Sequence, residues 1–88
     1  MTYEVRFSDR AKKEISKLDK STKQLLQRWL QKHLVNCENP RAYGKGLTAD
    51  KTGLWRYRIG DYRLICEIHD AELIILALTF AHRSEVYK

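Results

Sequence analysis

The sequence predicts an α+β fold, β-α-α-β-β-β, in which two N-terminal helices pack on one face of a mainly antiparallel four-stranded sheet. Three observations lead there: an apolar helical period from Ala11 to Leu34, a period of two from Trp55 to Ile68, and a polar, glycine-bearing stretch between them. With 88 residues the chain can bury one modest core, so residues 1–88 read as a single domain.

The elements follow in order. Tyr3, Val5 and Phe7 alternate with Glu4 and Arg6, the pattern of a short half-buried strand. Ser8 then offers a helix N-cap ahead of Ala11, Ile15 and Leu18, which share one face. Ser21 with Gln24 resembles a capping box and opens a longer amphipathic helix through Leu25, Leu26, Trp29, Leu30, His33 and Leu34, closed by Asn39-Pro40. The lysines and arginine between Lys12 and Lys32 read as a solvated outer face, with a second nucleic-acid contact as the alternative. Arg41 to Gly53 reads as loop; Gly44-Lys45-Gly46 is too short for a phosphate-cradling loop and precedes no helix, so it is assigned to a turn.

From Trp55 the side chains alternate. Trp55, Tyr57 and Ile59 point toward the helices while Arg56 and Arg58 point away, and Gly60-Asp61 fits a two-residue hairpin turn. Tyr62, Leu64, Cys66 and Ile68 continue the apolar face, with Arg63, Ile65 and Glu67 opposite. This register sets Ile59 against Tyr62 and Arg58 against Arg63. Directly opposed like charges destabilise a hairpin by a few tenths of a kcal/mol or more, a conflict that a bound phosphate would remove. A second turn, His69 to Glu72, returns the apolar strand Leu73 to Phe80, bringing Arg83 toward Arg63.

Composition narrows the chemistry. The charge of +6 favours a polyanionic partner such as nucleic acid or an acidic protein. Cys37 and Cys66 lack metal-ligand or disulfide-framework spacing, and His33, His69 and His82 are scattered, so metal-free chemistry without a cofactor is expected. The longest apolar run, Leu73 to Leu78, falls far short of the roughly 20 residues that span a bilayer. The N-terminus lacks the pattern of a cleaved signal, which leaves the cytoplasm as the expected location and no membrane partner.

The stretch from Gly53 to Ile65, GLWRYRIGDYRLI, and the ending His82-Arg83-Ser84-Glu85-Val86-Tyr87 resemble the RelE family of toxins from type II toxin–antitoxin systems. The resemblance runs over nearly the whole chain. It implies a ribosome-dependent endoribonuclease, an mRNA interferase that enters the ribosomal A site, cuts mRNA and inhibits translation. Arg56, Arg58, Arg63, Arg83 and Tyr87 would then be catalytic, with Lys45, Arg56, Arg58 and Arg63 binding substrate.

In such a reaction the ribose 2′-OH attacks the adjacent phosphate, which requires a base, an acid and stabilisation of the added negative charge. The resemblance implies Tyr87 as base, Arg63 on the scissile phosphate, Arg56 and Arg58 on the developing charge, and either Arg83 or His82 assisting the 5′-oxygen. Family members often carry a basic residue two positions before the equivalent of Arg83, where this chain has Ala81. An acidic RelB-like antitoxin is the implied partner, through which the toxin associates indirectly with DNA.

Two other functions compete. A ParE-like toxin shares the fold but binds DNA gyrase and has no catalytic activity; such chains usually lack the terminal Arg-x-x-x-Tyr. A non-catalytic RNA-binding module would stack bases on Trp55, Tyr57 and Tyr62, but the alternation turns those rings toward the helices.

Overall fold

The computed structural model of the chain describes residues 1–47 and 53–86. Strand β1 (Glu4–Phe7) leads into helices α1 (Asp9–Ser16) and α2 (Lys20–His33). A 3₁₀ turn (Pro40–Ala42) and the two-residue strand β2 (Lys45–Gly46) precede the long strands β3 (Leu54–Ile59), β4 (Tyr62–His69) and β5 (Ile74–His82). A one-turn helix, α3 (Arg83–Val86), follows β5.

The α+β class holds, but the sheet has five strands rather than four, in the order β1-β5-β4-β3-β2, and is mixed. Strand β1 runs parallel to β5, with Glu4 opposite Ile74 and Phe7 opposite Ala77. The Gly44-Lys45-Gly46 segment, expected as a turn, supplies the edge strand β2, antiparallel to β3 with Lys45 opposite Arg56. Two residues are too few to display a period of two, so such a strand is created by its neighbour rather than by its own pattern. Gly44 (φ 80°) is where glycine is needed: a Cβ there would lie 2.3 Å from the Arg56 carbonyl oxygen.

Ser8 ends β1 and begins α1. Its N–H continues the parallel ladder to the Ala77 carbonyl at 2.8 Å, while its Oγ accepts from the Ala11 N–H at 3.1 Å as the expected N-cap. Past that point β5 has no strand beside it on this edge among the described residues, and Glu14 of α1 takes the partner's place. The Glu14 carboxylate accepts from the Phe80 N–H at 3.0 Å and from the Thr79 hydroxyl at 2.7 Å. For α2 the expected capping residue is corrected: Asp19, not Ser21, is the N-cap. The Ser21 and Thr22 hydroxyls donate to its carboxylate, which holds Asp19 below the usual carboxylate range. Asn39-Pro40 opens the 3₁₀ turn, and α2 has already ended at His33.

Leu26, Leu30 and Leu34 pack against Tyr57, Ile59, Leu64, Cys66, Ile75, Ala77 and Phe80 to form the core. Trp55 and Tyr62 are partly buried against it, as the alternation predicted. Tyr57 is fully buried and its hydroxyl donates to the Pro40 carbonyl; burial pushes its pKa up, with the Cys66 and Cys37 thiols adding to the effect. Both cysteines are free, and burial raises the pKa of each. Among the described residues no helix is long and apolar enough to cross a membrane.

Asp70, in the β4–β5 connection, closes the far end of the sheet. It accepts a fork of two hydrogen bonds from Arg41, each 3.0 Å, and one from the Tyr3 hydroxyl at 2.6 Å. The Arg41 and Tyr3 bonds hold its carboxyl down at about 2. A depressed carboxylate contributes stability above its unfolded value of about 3.9, and that contribution disappears as pH falls through the folded value. Urea midpoints followed from pH 5 to pH 2 should therefore fall more steeply for the native chain than for Asp70→Asn, the difference developing between about pH 4 and pH 2. Parallel curves for the two proteins would show that Asp70 is not coupled to folding.

Candidate nucleic-acid interface

The expected hairpin forms as read. Ile59 opposes Tyr62 and Arg58 opposes Arg63, while Gly60 takes φ 60°, the positive angle that a type II′ turn needs at its first central residue. On the next strand Ala81 opposes Arg63, and one row along the sheet Lys45, Arg56 and Ile65 stand side by side. Alternation puts both rows on the sheet face turned away from the core. Three of the expected residues, Arg56, Arg58 and Lys45, line a cleft of about 230 Å³ together with Gly44.

Arg63 is the exceptional member. It is only 4% exposed, and Ile65 beside it is buried as well, so the sheet face turned away from the helices is not uniformly open. Its Nη1 donates to the Tyr62 carbonyl at 3.0 Å and to the Gly60 carbonyl at 3.4 Å. Its Nε is buried and has no hydrogen-bond partner among the described residues. Burial, followed by the charges of Arg58, Arg56 and Arg83, lowers the Arg63 pKa; Asp61 opposes them as the smaller influence. A buried cation hydrogen-bonded to carbonyls through one nitrogen keeps the Nε edge of its fork for an acceptor. An oxyanion with several acceptor oxygens matches that edge and relieves the repulsion of the surrounding cations.

Arg83 joins this group, as expected. Its backbone N–H donates to the Asp61 carbonyl at 2.8 Å, which fastens the start of α3 to the hairpin turn, and α3 lies against β4 and β5. The hairpin-turn residue Asp61 therefore also positions the start of α3 through its backbone carbonyl. The one signal for it was its position between Gly60 and Tyr62. His82 is not brought to the arginines. It opposes Tyr62, whose ring it meets edge to face at 5.5 Å, and Tyr62 stacks on core Phe80 at 5.0 Å. The His82 ring is thus on the helix side of the sheet, because each step along a strand reverses the face. Ala81, not His82, shares a face with Arg63. Tyr87 lies outside the described residues.

A second concavity lies on the other side of the molecule, between β1 and the helices. Val5, Phe7, Ile15, Leu26, Leu30 and Val35 give this groove of about 570 Å³ an apolar floor, and Lys12 and Lys23 are its only charged lining residues among those described.

Over this architecture, residues 5–87 match the family described as the ParE toxin of the type II toxin-antitoxin system parDE. The chain belongs to the RelE/ParE superfamily of toxins. Its fold matches the Mycobacterium tuberculosis RelBE2 toxin–antitoxin complex with a TM-score of 0.83 and 27% identity, covering 96% of this chain and 94% of the other. A free double-arginine variant of the E. coli toxin RelE aligns with a TM-score of 0.75 and 26% identity over 99% of this chain and 92% of that one. The archaeal RelE–RelB complex from Pyrococcus horikoshii OT3 gives 0.69 and 26%, with 94% and 97% covered. A comparison with curated proteins found no match. The protein is thus a toxin of a type II toxin–antitoxin system with a RelE-like structure.

The anion reading of this toxin's arginine surface has a direct check. Arg63→Met removes a buried cation that has no carboxylate partner among the described residues, so the variant should melt at or above the native temperature. Inorganic phosphate should stabilise the native toxin, by about 1.4 kcal/mol at tenfold over its Kd, and leave Arg63→Met nearly unchanged. Equal phosphate shifts in the two proteins would place anion binding elsewhere.

Proposed function

We propose that this toxin is a ribosome-dependent mRNA endoribonuclease. The observation that supports the reading is Arg63, buried beside Arg58 and near Arg56 and Arg83 with its Nε unpartnered among the described residues. Such a site favours the transition state of phosphoryl transfer over a neutral ligand, because its preorganised charge acts where negative charge develops. In the proposed step Tyr87, as its phenolate, takes the proton of the 2′-OH as the O2′–P bond forms, and the P–O5′ bond breaks as O5′ takes a proton from water. Arg63 holds the scissile phosphate, and Arg56 and Arg58 stabilise the developing charge. Lys45, at the sheet edge, holds the RNA backbone. With His82 on the opposite face and Ala81 unable to donate, Arg83 is the remaining candidate for assisting O5′. No metal or cofactor enters this scheme, and the reaction takes place in the cytoplasm, where translating ribosomes are.

Mapping mRNA 5′ ends after brief expression tests both class and mechanism. Cuts should appear inside translated codons and fall by about 10²- to 10⁴-fold for Tyr87→Phe, which keeps the ring and loses the ionisable oxygen. Cuts persisting in that variant would remove Tyr87 from the role of base.

A specific observation favours one other reading: the matching family bears the name ParE. A ParE-like action on DNA gyrase would leave mRNA intact and induce a DNA-damage response. The terminal Arg83-x-x-x-Tyr87 argues for cleavage instead.

The reading extends to a partner. Relatives of this fold are found in complexes with RelB. An acidic, partly disordered antitoxin, which also links the toxin to DNA, suits a chain of charge +6. The apolar groove, with two lysines and no carboxylate among its described lining residues, suits an amphipathic acidic segment of that antitoxin. Charge reversal at Lys12 and Lys23 together should weaken binding by tenfold or more at low salt, and less at high salt, in titration calorimetry. An unchanged affinity would move the antitoxin off this groove.

A further inference from the structure

His82 is excluded from the arginine face, yet it is not idle. Its ring is held against Tyr62, and Nδ1 meets the following helix: it accepts the Ser84 N–H at 3.2 Å and lies 2.9 Å from the Ser84 Oγ. A ring nitrogen that accepts an amide N–H presents its lone pair, so in the neutral imidazole the proton is on Nε2. This is the work of an N-cap, done by a histidine. Ser84 is the second residue of α3, and its N–H is one of the donors that a helix start leaves without an internal partner.

The neighbouring N–H, that of Arg83, is taken by the Asp61 carbonyl at 2.8 Å. Two successive amides at the β5–α3 junction are therefore fastened, one to the hairpin turn and one to the His82 ring. A helix of a single turn has too few internal bonds to set its own direction. The two outside bonds set it, and with it the place of Arg83 beside Arg63.

We propose that His82 is a positioning residue: through Nδ1 it fixes the turn into α3, and so aims Arg83 at the arginine surface without touching RNA. The proposal rests on the endoribonuclease reading for its kinetic consequence, and on the hydrogen bonds alone for its structural one.

His82→Ala and His82→Asn separate this role from general structural loss. Asparagine places an acceptor oxygen at the cap position, whereas alanine offers none. In single-turnover cleavage of ribosome-bound mRNA, His82→Ala should lower the maximal rate about 5- to 10-fold with little change in the half-saturating concentration, and Asn should restore most of the rate. Hydrogen exchange at the Ser84 amide should speed up in the Ala variant and stay slow in the Asn variant, with thermal midpoints close to native for both. A native rate in His82→Ala overturns the proposal. So does an Asn variant as slow as Ala although its Ser84 amide is still protected, since the ring itself would then be required. If the native toxin cuts no mRNA, the endoribonuclease reading fails, and Ser84 exchange still decides whether His82 caps α3.

Discussion

The structure turns on one unfavourable contact that the sheet makes unavoidable. The Gly60-Asp61 turn sets Arg58 directly against Arg63, and the Arg63 guanidinium is buried with backbone carbonyls as its only hydrogen-bond partners among the described residues. Nothing in the pairing of β3 and β4 requires a cation at either position; apolar or oppositely charged side chains would pair better there. Burial depresses the Arg63 pKa and the neighbouring arginines depress it further, so the arrangement does not serve stability.

The rest of the fold holds that contact in place. Tyr57 and Ile59 anchor β3 in the core, and Leu64 and Cys66 anchor β4, so the register cannot slip without turning a buried face to water. Gly44 lets β2 approach closely enough to place Lys45 opposite Arg56. At the other side, β5 carries Ala81 past Arg63 and delivers Arg83 into a turn tied back to Asp61. Glu14 secures the part of β5 that no strand covers. Together these devices fix the strands that carry the cationic side chains.

The two sides of the molecule differ in chemistry. One presents Arg56, Arg58 and Lys45 around a small cleft; the other presents an apolar groove with ammonium groups at its margin. Phosphate-bearing RNA suits the first, since its charge is concentrated on oxygens. A peptide with both acidic and apolar side chains suits the second. An endoribonuclease toxin of the kind proposed, silenced by a protein antitoxin, would use both surfaces.

The sequence by itself determined the α+β class, the hairpin and its register, because alternation and turn chemistry act over a few neighbouring residues. It therefore also determined that Arg58 and Arg63 oppose each other. Tertiary structure alone decided that β1 lies parallel beside β5 and that Lys45-Gly46 becomes a strand, since pairing across as many as 70 positions in Glu4 and Ile74 leaves no local periodicity. It also decided the fates of two residues that look alike in a list of candidates. Arg63 is buried by what closes over its strand end, which no single strand's pattern contains, whereas His82 takes the opposite face by alternation and caps a helix only because the chain turns into α3 there.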